Sequence, residues 1–217
     1  MTIIDDYLKF QEEQVKRFNE TTLLFMQVGH FYEAYAVDNK KEKSNADNVY
    51  RVADILNIQV TRKNKNIQEN SRGNPIMIGV NLFSIEKHTG ILMDAGYTLV
   101  IMEQVGEPPN ITREITRVYS PGTYLPVKTI GGAQSNYLLS VFLETSPNDN
   151  SRRMKNIGMS VIDFATGKSI TYEVYSKKSN NDFNYALDET FRFIQVYNPS
   201  EVIFMINDNP ENIQNIT

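Results

Sequence analysis

Short apolar runs alternate with stretches of helical periodicity over the first 125 residues, and this alternation limits the possible folds more than any other feature. Three runs have the length and composition of buried strands: LLFMQV (23–28), PIMIGV (75–80) and YTLVIMEQV (97–105). Apolar residues at helical spacing predict helices near the N-terminus, before Asn57 and over LFSIEKHTGILMDAG (82–96), where Gly96 ends the helix. IQVTRK (58–63) predicts a further strand that leads into a basic loop. Strands and helices that alternate in this way bury a mixed sheet, so we predict an α/β fold.

The pattern breaks at LPVKTIGGAQ (125–134), which contains one proline and two glycines. We therefore predict a first domain over 1–125, a linker over 126–134 and a second domain over 135–217. In the second domain, IGMSVIDF and KSITYEVY flank a short ATG segment and predict a hairpin. A helix ending before Pro199 and a last strand, SEVIFMI, complete a small α/β arrangement.

Composition excludes several classes of protein. The chain has no cysteine and two histidines, so neither disulfides nor a cysteine- and histidine-based metal site is expected. No apolar run reaches the ~20 residues of a membrane span, and the N-terminus does not resemble a targeting peptide, so we expect an intracellular protein. Because the formal net charge is −4, any contact with nucleic acid must use a local basic patch or involve a larger protein of which this chain is a part.

The densest basic stretch is TRKNKNIQENSRG (61–73). It carries Arg62, Lys63, Lys65 and Arg72 against a single acid, Glu69, and its asparagines and glycine predict a loop. On charge alone, a solvated loop is favoured over a binding patch.

Two segments resemble catalytic motifs without completing them. TGKS (166–169) lacks the glycine that a phosphate-binding loop needs five residues earlier, where Ile162 stands, so it predicts a hairpin turn. Asp163 ends a strand, as the first acid of a ribonuclease-H-like nuclease would, with Glu201 and Asp208 as candidate partners for magnesium. A turn-capping aspartate is the favoured interpretation, so we assign no catalytic residue. A ribonuclease-H-like nuclease with an accessory α/β domain stays open as the alternative.

The segment MQVGHFYEAYAVD (26–38) places an aromatic pair and an acid beyond a glycine turn. Side chains alternate along a strand, so Phe31 and Glu33 share one face while Tyr32 takes the other. If Tyr32 is buried, Phe31 and Glu33 project together, and an exposed apolar side chain can wedge between stacked base pairs. A nearby carboxylate can accept a hydrogen bond from a base. Periodicity alone leaves open the simpler alternative, a protein-interaction module in which Phe31 belongs to the core.

This segment resembles the Phe-x-Glu mismatch-recognition motif of the MutS family of DNA mismatch-repair proteins. The likeness continues in order through four further segments of the first domain: DILNIQVTRK, PIMIGV, DAGYTLVIMEQVGEP and TREITRVYSPGT. The second domain is similar to the start of the family's connector domain. The resemblance implies a mixed-sheet mismatch-recognition domain followed by a connector domain with a ribonuclease-H-like fold and no nuclease activity.

The resemblance also implies roles for individual residues. Phe31 would stack into the duplex at a mismatch from the minor groove, and Glu33 would hydrogen-bond the displaced base. Arg62, Lys63 and Lys65 would contact the DNA backbone. The implied partner is double-stranded DNA with mismatches, and the implied location is intracellular and DNA-associated.

The family's core, clamp and ATPase parts have no counterpart here, so the sequence is expected to be an N-terminal fragment that uses no cofactor and hydrolyses no ATP. In the full-length protein the family implies ATP and magnesium binding, a homodimer and a downstream repair partner on the connector. Two departures stand out. His30 replaces the acid that usually precedes the phenylalanine, and GVNLFS (79–84) replaces the common GIPxHA.

Overall fold

A computed structural model of the chain describes residues 2–106, 110–126, 135–146, 154–176 and 184–207. The chain divides into two compact units, Met1–Pro121 and Gly122–Thr217. The predicted first domain extends a few residues further, to 125, and nearly all of the predicted linker lies outside the described residues.

The first unit is built on one seven-stranded sheet. Its helices are α1 (Ile3–Arg17), α2 (Ala46–Leu56) and α3 (Ile85–Asp94). Its strands are β1 (Thr22–Val28), β2 (Phe31–Asp38), β3 (Lys43–Ser44), β4 (Thr61–Arg62), β5 (Ile76–Asn81), β6 (Thr98–Val105) and β7 (Thr112–Tyr119). The strand order is β4-β5-β2-β1-β6-β7, with β3 paired to β2. β1 and β6 run parallel while the other pairs are antiparallel, which confirms the predicted mixed sheet.

Local sequence signals explain where the helices begin and end. Thr2 and Asp5 form a reciprocal capping box at the start of α1, which satisfies backbone N–H groups that the helix leaves unpaired. After α3, Gly96 adopts a φ of +77°, a conformation that glycine enters without steric cost, so the predicted stop is confirmed.

Two predicted elements are shorter than their sequence pattern indicated. IQVTRK (58–63) forms only the two-residue strand β4, because the backbone N–H of Ile58 closes α2 by donating to the carbonyl of Ala53 at 3.0 Å. The helix predicted over 82–96 starts as a 3-10 turn, Leu82–Ser84, because the Asn81 side chain caps the backbone N–H of Phe83 at 3.0 Å. Its regular part begins at Ile85.

Strands β1 and β2 pair only next to the turn that joins them, from Met26 to Val28 on β1. Further from the turn, side chains of α1 form hydrogen bonds with backbone groups of β1 that do not pair with β2. The Gln11 amide donates to the carbonyl of Thr22 and accepts from the N–H of Leu24, both at 2.7 Å, and the Tyr7 hydroxyl donates to the carbonyl of Leu24 at 2.9 Å. Helix α1 therefore anchors the base of this hairpin and leaves its tip uncovered.

The second unit contains a four-stranded sheet of order β10-β9-β8-β11. Its elements are β8 (Tyr137–Ser146), β9 (Met154–Asp163), β10 (Ser169–Tyr175), α4 (Tyr185–Tyr197) and β11 (Glu201–Asn207). β11 runs parallel to β8, and the remaining pairs are antiparallel, including the predicted β9–β10 hairpin. The core joins the sheet to α4 through Leu139, Val141, Leu143, Ile157, Met159, Val161, Val174 and Ala186. Across the described part of both units, no helix is long and apolar enough to cross a membrane.

Candidate nucleic-acid interface

The tip of the β1–β2 hairpin is a two-residue loop, Gly29–His30, between the paired residues Val28 and Phe31. Gly29 has a φ of +59°, as the first position of a tight hairpin turn requires. The carbonyl of His30 accepts from the N–H of Leu82 at 3.1 Å, so the loop is tied to the end of β5. His30 is therefore a turn residue, and the tip is held from two strands.

The aromatic pair divides between the two faces of β2. Tyr32 is 3% exposed and Phe31 is 47% exposed, which confirms that Tyr32 is the buried member. The alternative that placed Phe31 in the core is wrong: Phe31 shares a face with the buried Tyr35, but it is the first residue of β2, next to the turn, where that face is open to solvent.

Tyr32 is anchored by an ion pair on β6 and β7. Its hydroxyl donates to Oε1 of Glu103 at 2.5 Å and accepts from Nη2 of Arg117 at 3.0 Å, while Arg117 and Glu103 also pair directly. Burial raises the pKa of Tyr32 to about 12, and the hydrogen bond to Glu103 acts in the same direction. The hydrogen bond from Tyr32 in turn lowers the pKa of Glu103. This network connects the residue next to the exposed Phe31 to strands β6 and β7 of the same sheet.

Glu33 lies on the same face as Phe31, between Met26 of β1 and Gly79 of β5. Gly79 has no side chain, and a Cβ at that position would lie 3.6 Å from the Cγ of Glu33. The hydroxyl of Tyr35 donates to Oε2 of Glu33. Within the described residues, Oε1 of Glu33 has no hydrogen-bond partner. The carboxylate is thus held at one oxygen and open at the other.

The basic loop lies at the opposite end of β2 from Phe31. Cross-strand pairing places Thr61 opposite Met77, which pairs with Tyr35. Lys63 lies two residues beyond Thr61, and its N–H donates to the carbonyl of Pro75. Six residues of strand separate this level from Phe31, which corresponds to about 20 Å. The structure therefore does not bring the predicted backbone contacts next to the hairpin tip.

The cations of this loop differ in their availability. Arg62 donates through Nη1 to the carbonyls of Ile67 and Gln68 at 3.1 and 2.8 Å, so its guanidinium holds the loop together. Arg72 pairs with Asp5 and Glu42. Lys63 and Lys65 are exposed, and in the part of the chain that the structure describes neither forms an ion pair.

Two residues near the tip were not predicted. Phe83 is 96% exposed, two residues after Asn81, which pairs with Phe31. Its position is out of phase with the buried positions Ile85 and Thr89 of α3, a signal that was readable in the sequence. Arg113 of β7 is exposed and pairs with Gln104, which brings a cation to the same end of the sheet.

The candidate catalytic residue of the second unit is a turn cap. Asp163 accepts from the N–H groups of Asn136 and Ala165, both at 3.0 Å, and from the Thr166 hydroxyl at 2.8 Å. Burial alone would raise the pKa of Asp163, but these hydrogen bonds outweigh it and lower the pKa. The interpretation of Asp163 as a turn cap is confirmed.

The proposed partners of Asp163 do not form a metal site with it in the described structure. Glu201 accepts from the N–H of Gly122 at 3.0 Å, and Asp208 lies outside the described residues. Among the residues that are described, no three histidine, aspartate or glutamate side chains cluster as metal ligands would. The TGKS segment forms the β9–β10 turn, with Gly167 at a φ of +73°, as predicted.

Comparison with known proteins gives a consistent result. The family model described as MutS domain I matches residues 8–128. A putative DNA mismatch repair protein of Acanthamoeba polyphaga mimivirus, a mutS homolog, is 36% identical over 98% of this chain and 18% of its own length. The DNA mismatch repair protein MutS of Staphylococcus aureus (strain JH9) is 29% identical over 95% of this chain and 20% of its own length.

A third relative, the DNA mismatch repair protein MutS 2 of Haloarcula marismortui, is 28% identical over 88% of this chain and 17% of its own length. The chain thus spans about a fifth of the length of the curated relatives that it matches. The family model covers more than half of the chain, including the hairpin tip, the basic loop and the β6–β7 pair. The chain therefore belongs to the MutS family.

Proposed function

We propose that this chain recognises mismatched base pairs in double-stranded DNA. Phe31 stacks into the duplex at the mismatch from the minor groove, and Glu33 accepts a hydrogen bond from the displaced base. The observation that carries this proposal is the pairing of a 47% exposed Phe31 with a partly exposed Glu33 on one face of a fixed hairpin tip. An exposed phenylalanine on a rigid support can enter a base stack without first rearranging the protein.

Selectivity follows from the cost of opening the duplex. Inserting an apolar side chain unstacks a base step at a cost of a few kcal/mol and bends the DNA. A mismatched step is already weakly stacked and paired, so the same insertion costs less there. Phe31 then discriminates by deformability, while Glu33 adds a contact to the exposed base edge.

We propose that Lys63 and Lys65 contact the DNA backbone. Arg62 shapes the loop that carries these lysines and contacts a phosphate at the edge of that loop. A separation of about 20 Å from Phe31 corresponds to roughly six base pairs along a duplex. These lysines would therefore contact phosphates well outside the mismatch. Their contribution is affinity and register rather than discrimination.

The second unit is proposed to be a connector domain with a ribonuclease-H-like fold and without nuclease activity. Three antiparallel strands followed by a helix and a parallel strand support this fold. The engagement of Asp163 in a turn supports the absence of catalysis. No specific observation favours the nuclease alternative.

In the longer proteins of the family, we propose that ATP and magnesium bind outside the region equivalent to this chain, since TGKS forms a hairpin turn rather than a phosphate loop. We also propose a DNA-associated intracellular homodimer, with a downstream repair partner docking on the connector.

The test compares the 217-residue chain with a Phe31→Ala variant. Each is titrated into a fluorescent duplex carrying one mismatch and into the same duplex fully paired. The wild type should prefer the mismatched duplex, and Phe31→Ala should bind both duplexes equally. Because about half of the ring is already exposed, the substitution should cost about 1 kcal/mol of stability and lower Tm by roughly 3–5 °C.

Phe18→Ala is the matched control, since Phe18 is 39% exposed and lies after α1 rather than at the tip. It should lower Tm to a similar extent and leave the preference for the mismatch unchanged. An unchanged preference in Phe31→Ala would refute the wedge role. A Tm decrease of more than about 10 °C, the scale of a lost core phenylalanine, would contradict it as well.

A further inference from the structure

Tyr35 lies two residues beyond Glu33 on β2, so both side chains leave the same face of the sheet. The two differ in burial, because Tyr35 is 4% exposed whereas Glu33 is partly open to solvent. The buried phenol nevertheless reaches the open carboxylate, and its hydroxyl donates to Oε2 of Glu33. A hydrogen bond therefore links the candidate base acceptor to the interior of the first unit.

The position of the Tyr35 hydroxyl is set by elements remote from the hairpin tip. The ring of Tyr7, on α1, packs edge-on against the Tyr35 ring with centroids 5.2 Å apart. Tyr7 is itself fixed by donating to the carbonyl of Leu24 at 2.9 Å, and the Asn45 amide donates to the carbonyl of Tyr35 at 2.9 Å. Tyr35 is thus held from α1 and from the start of α2 before any ligand arrives.

Charge and space around this pair indicate what the hydrogen bond does. Burial raises the pKa of the Tyr35 phenol, the hydrogen bond to Glu33 raises it further, and the positive charge of Arg113 opposes both. Tyr35 therefore stays a donor throughout the neutral range. Oε2 already accepts from Tyr35, whereas Oε1 accepts from none of the described residues and Gly79 places no side chain beside it, so Oε1 is the more available acceptor for a ligand.

A glutamate on an open surface samples several rotamers, and binding must select one of them at an entropic cost. We propose that Tyr35 is a positioning residue for mismatch recognition: it holds the Glu33 carboxylate in one orientation, with a single oxygen presented to the displaced base. This inference rests on the proposed function, because it assigns a task to Tyr35 only if Glu33 contacts the DNA.

The test is a double-mutant cycle of Glu33→Ala and Tyr35→Phe in the 217-residue chain. The measured quantity is the ratio of Kd for the paired duplex to Kd for the mismatched duplex. Tyr35→Phe should lower this ratio roughly two- to tenfold, the range of one lost hydrogen bond, with Kd for the paired duplex unchanged. In the Glu33→Ala background, Tyr35→Phe should have no further effect on the ratio.

Tyr97→Phe is the matched control, because it also removes one buried phenol hydroxyl, directly before β6, and does not touch Glu33, Tyr35 or Tyr7. It should leave the ratio unchanged. If Tyr35→Phe lowers the ratio equally with and without Glu33, its role is merely structural and the inference is overturned. If Glu33→Ala lowers the ratio and Tyr35→Phe does not, the inference fails alone. If Glu33→Ala itself has no effect, the role of Glu33 in the proposed function fails.

A measurement without DNA checks the same point if a variant folds poorly. In the NMR spectrum of the free wild-type chain, the two Hγ protons of Glu33 should have distinct shifts and unequal couplings, as a fixed rotamer gives. They should be averaged in Tyr35→Phe and remain distinct in Tyr97→Phe. Averaged signals in the wild type would overturn the proposal directly.

Discussion

Replacing Tyr32 by phenylalanine removes one oxygen atom from the anchor beneath Phe31 and leaves the ring in place. In the wild type that oxygen donates to Glu103 at 2.5 Å and accepts from Arg117 at 3.0 Å. The carboxylate and the guanidinium pair directly, so the variant keeps their ion pair and loses only the two hydrogen bonds of the phenol. The substitution therefore isolates the contribution of the anchor.

Hydrogen bonds to charged groups contribute about 1.5–3 kcal/mol when buried. Glu103 and Arg117 are partly exposed, so solvent screening reduces that value, and we expect Tyr32→Phe to cost about 2 kcal/mol at pH 7. For a unit of this size, that cost corresponds to a Tm decrease of roughly 6–10 °C.

The free-energy cost of Tyr32→Phe should decrease as the pH falls. The hydrogen bond from Tyr32 lowers the pKa of Glu103 below its ordinary value of 4.5, so this interaction stabilises the fold above that pH and is lost as pH falls through the lowered pKa. The difference between Tyr32→Phe and the wild type should therefore shrink on acidification. Urea unfolding at pH 7, 5, 4 and 3 measures it, with the free energy of unfolding extrapolated at each pH.

Tyr7→Phe provides the comparison, because the Tyr7 hydroxyl donates to the carbonyl of Leu24, which does not titrate. Its cost should be the same at each pH. If the cost of Tyr32→Phe were also constant from pH 7 to pH 3, the hydrogen bond would not stabilise the ionised form of Glu103, and the reasoning about the anchor would be refuted.

Further substitutions test the remaining features. Lys63→Ala and Lys65→Ala should weaken binding to paired and mismatched duplexes alike, and each should reduce the slope of log K against log salt by about 0.9, measured by titration from 50 to 200 mM salt; a change confined to the mismatched duplex would contradict a backbone role. Arg62→Ala should also lower Tm, by a few degrees in a thermal melt, because its guanidinium holds two loop carbonyls, whereas the two lysine variants should melt like the wild type. Gly79→Leu should reduce the preference for the mismatch, because its side chain meets the Cγ of Glu33, while Gly79→Ala, whose Cβ makes an ordinary contact at 3.6 Å, should bind like the wild type in the same titration. Asp163→Asn should lower the melting temperature of the second unit, and neither it nor the wild type should cleave DNA or RNA with magnesium; magnesium-dependent cleavage that Asp163→Asn abolishes would favour the nuclease alternative.

Much of the first unit could be predicted because the signals are local. The tight loop at Gly29 joins two apolar runs and needs only the conformational freedom of glycine to turn the chain. The alternation of side chains along β2 then requires Phe31 and Glu33 to share a face. The strand after α2 is shorter than predicted because the backbone N–H of Ile58 hydrogen-bonds to the end of the helix. Hydrophobic periodicity does not show that hydrogen bond.

The order of motifs along the chain was also enough to indicate the family, which the match over residues 8–128 shows. It did not indicate Phe83, although helical periodicity places Phe83 out of phase with the buried positions Ile85 and Thr89 of α3. Asn81 caps the start of the 3-10 turn Leu82–Ser84, in which Phe83 lies.

By itself the sequence determined which residues form turns, which side chains alternate between the two faces of a strand, and which family the chain resembles. These properties depend on residues a few positions apart. Only the tertiary structure decided which of Phe31 and Tyr32 is covered, since Tyr32 is anchored by an ion pair about seventy to eighty-five residues away in the chain. It also decided that Arg62 holds its own loop and that Lys63 lies far from Phe31, because both follow from the pairing of β2, β5 and β4. Burial and register arise from contacts between distant segments, and no local pattern encodes them.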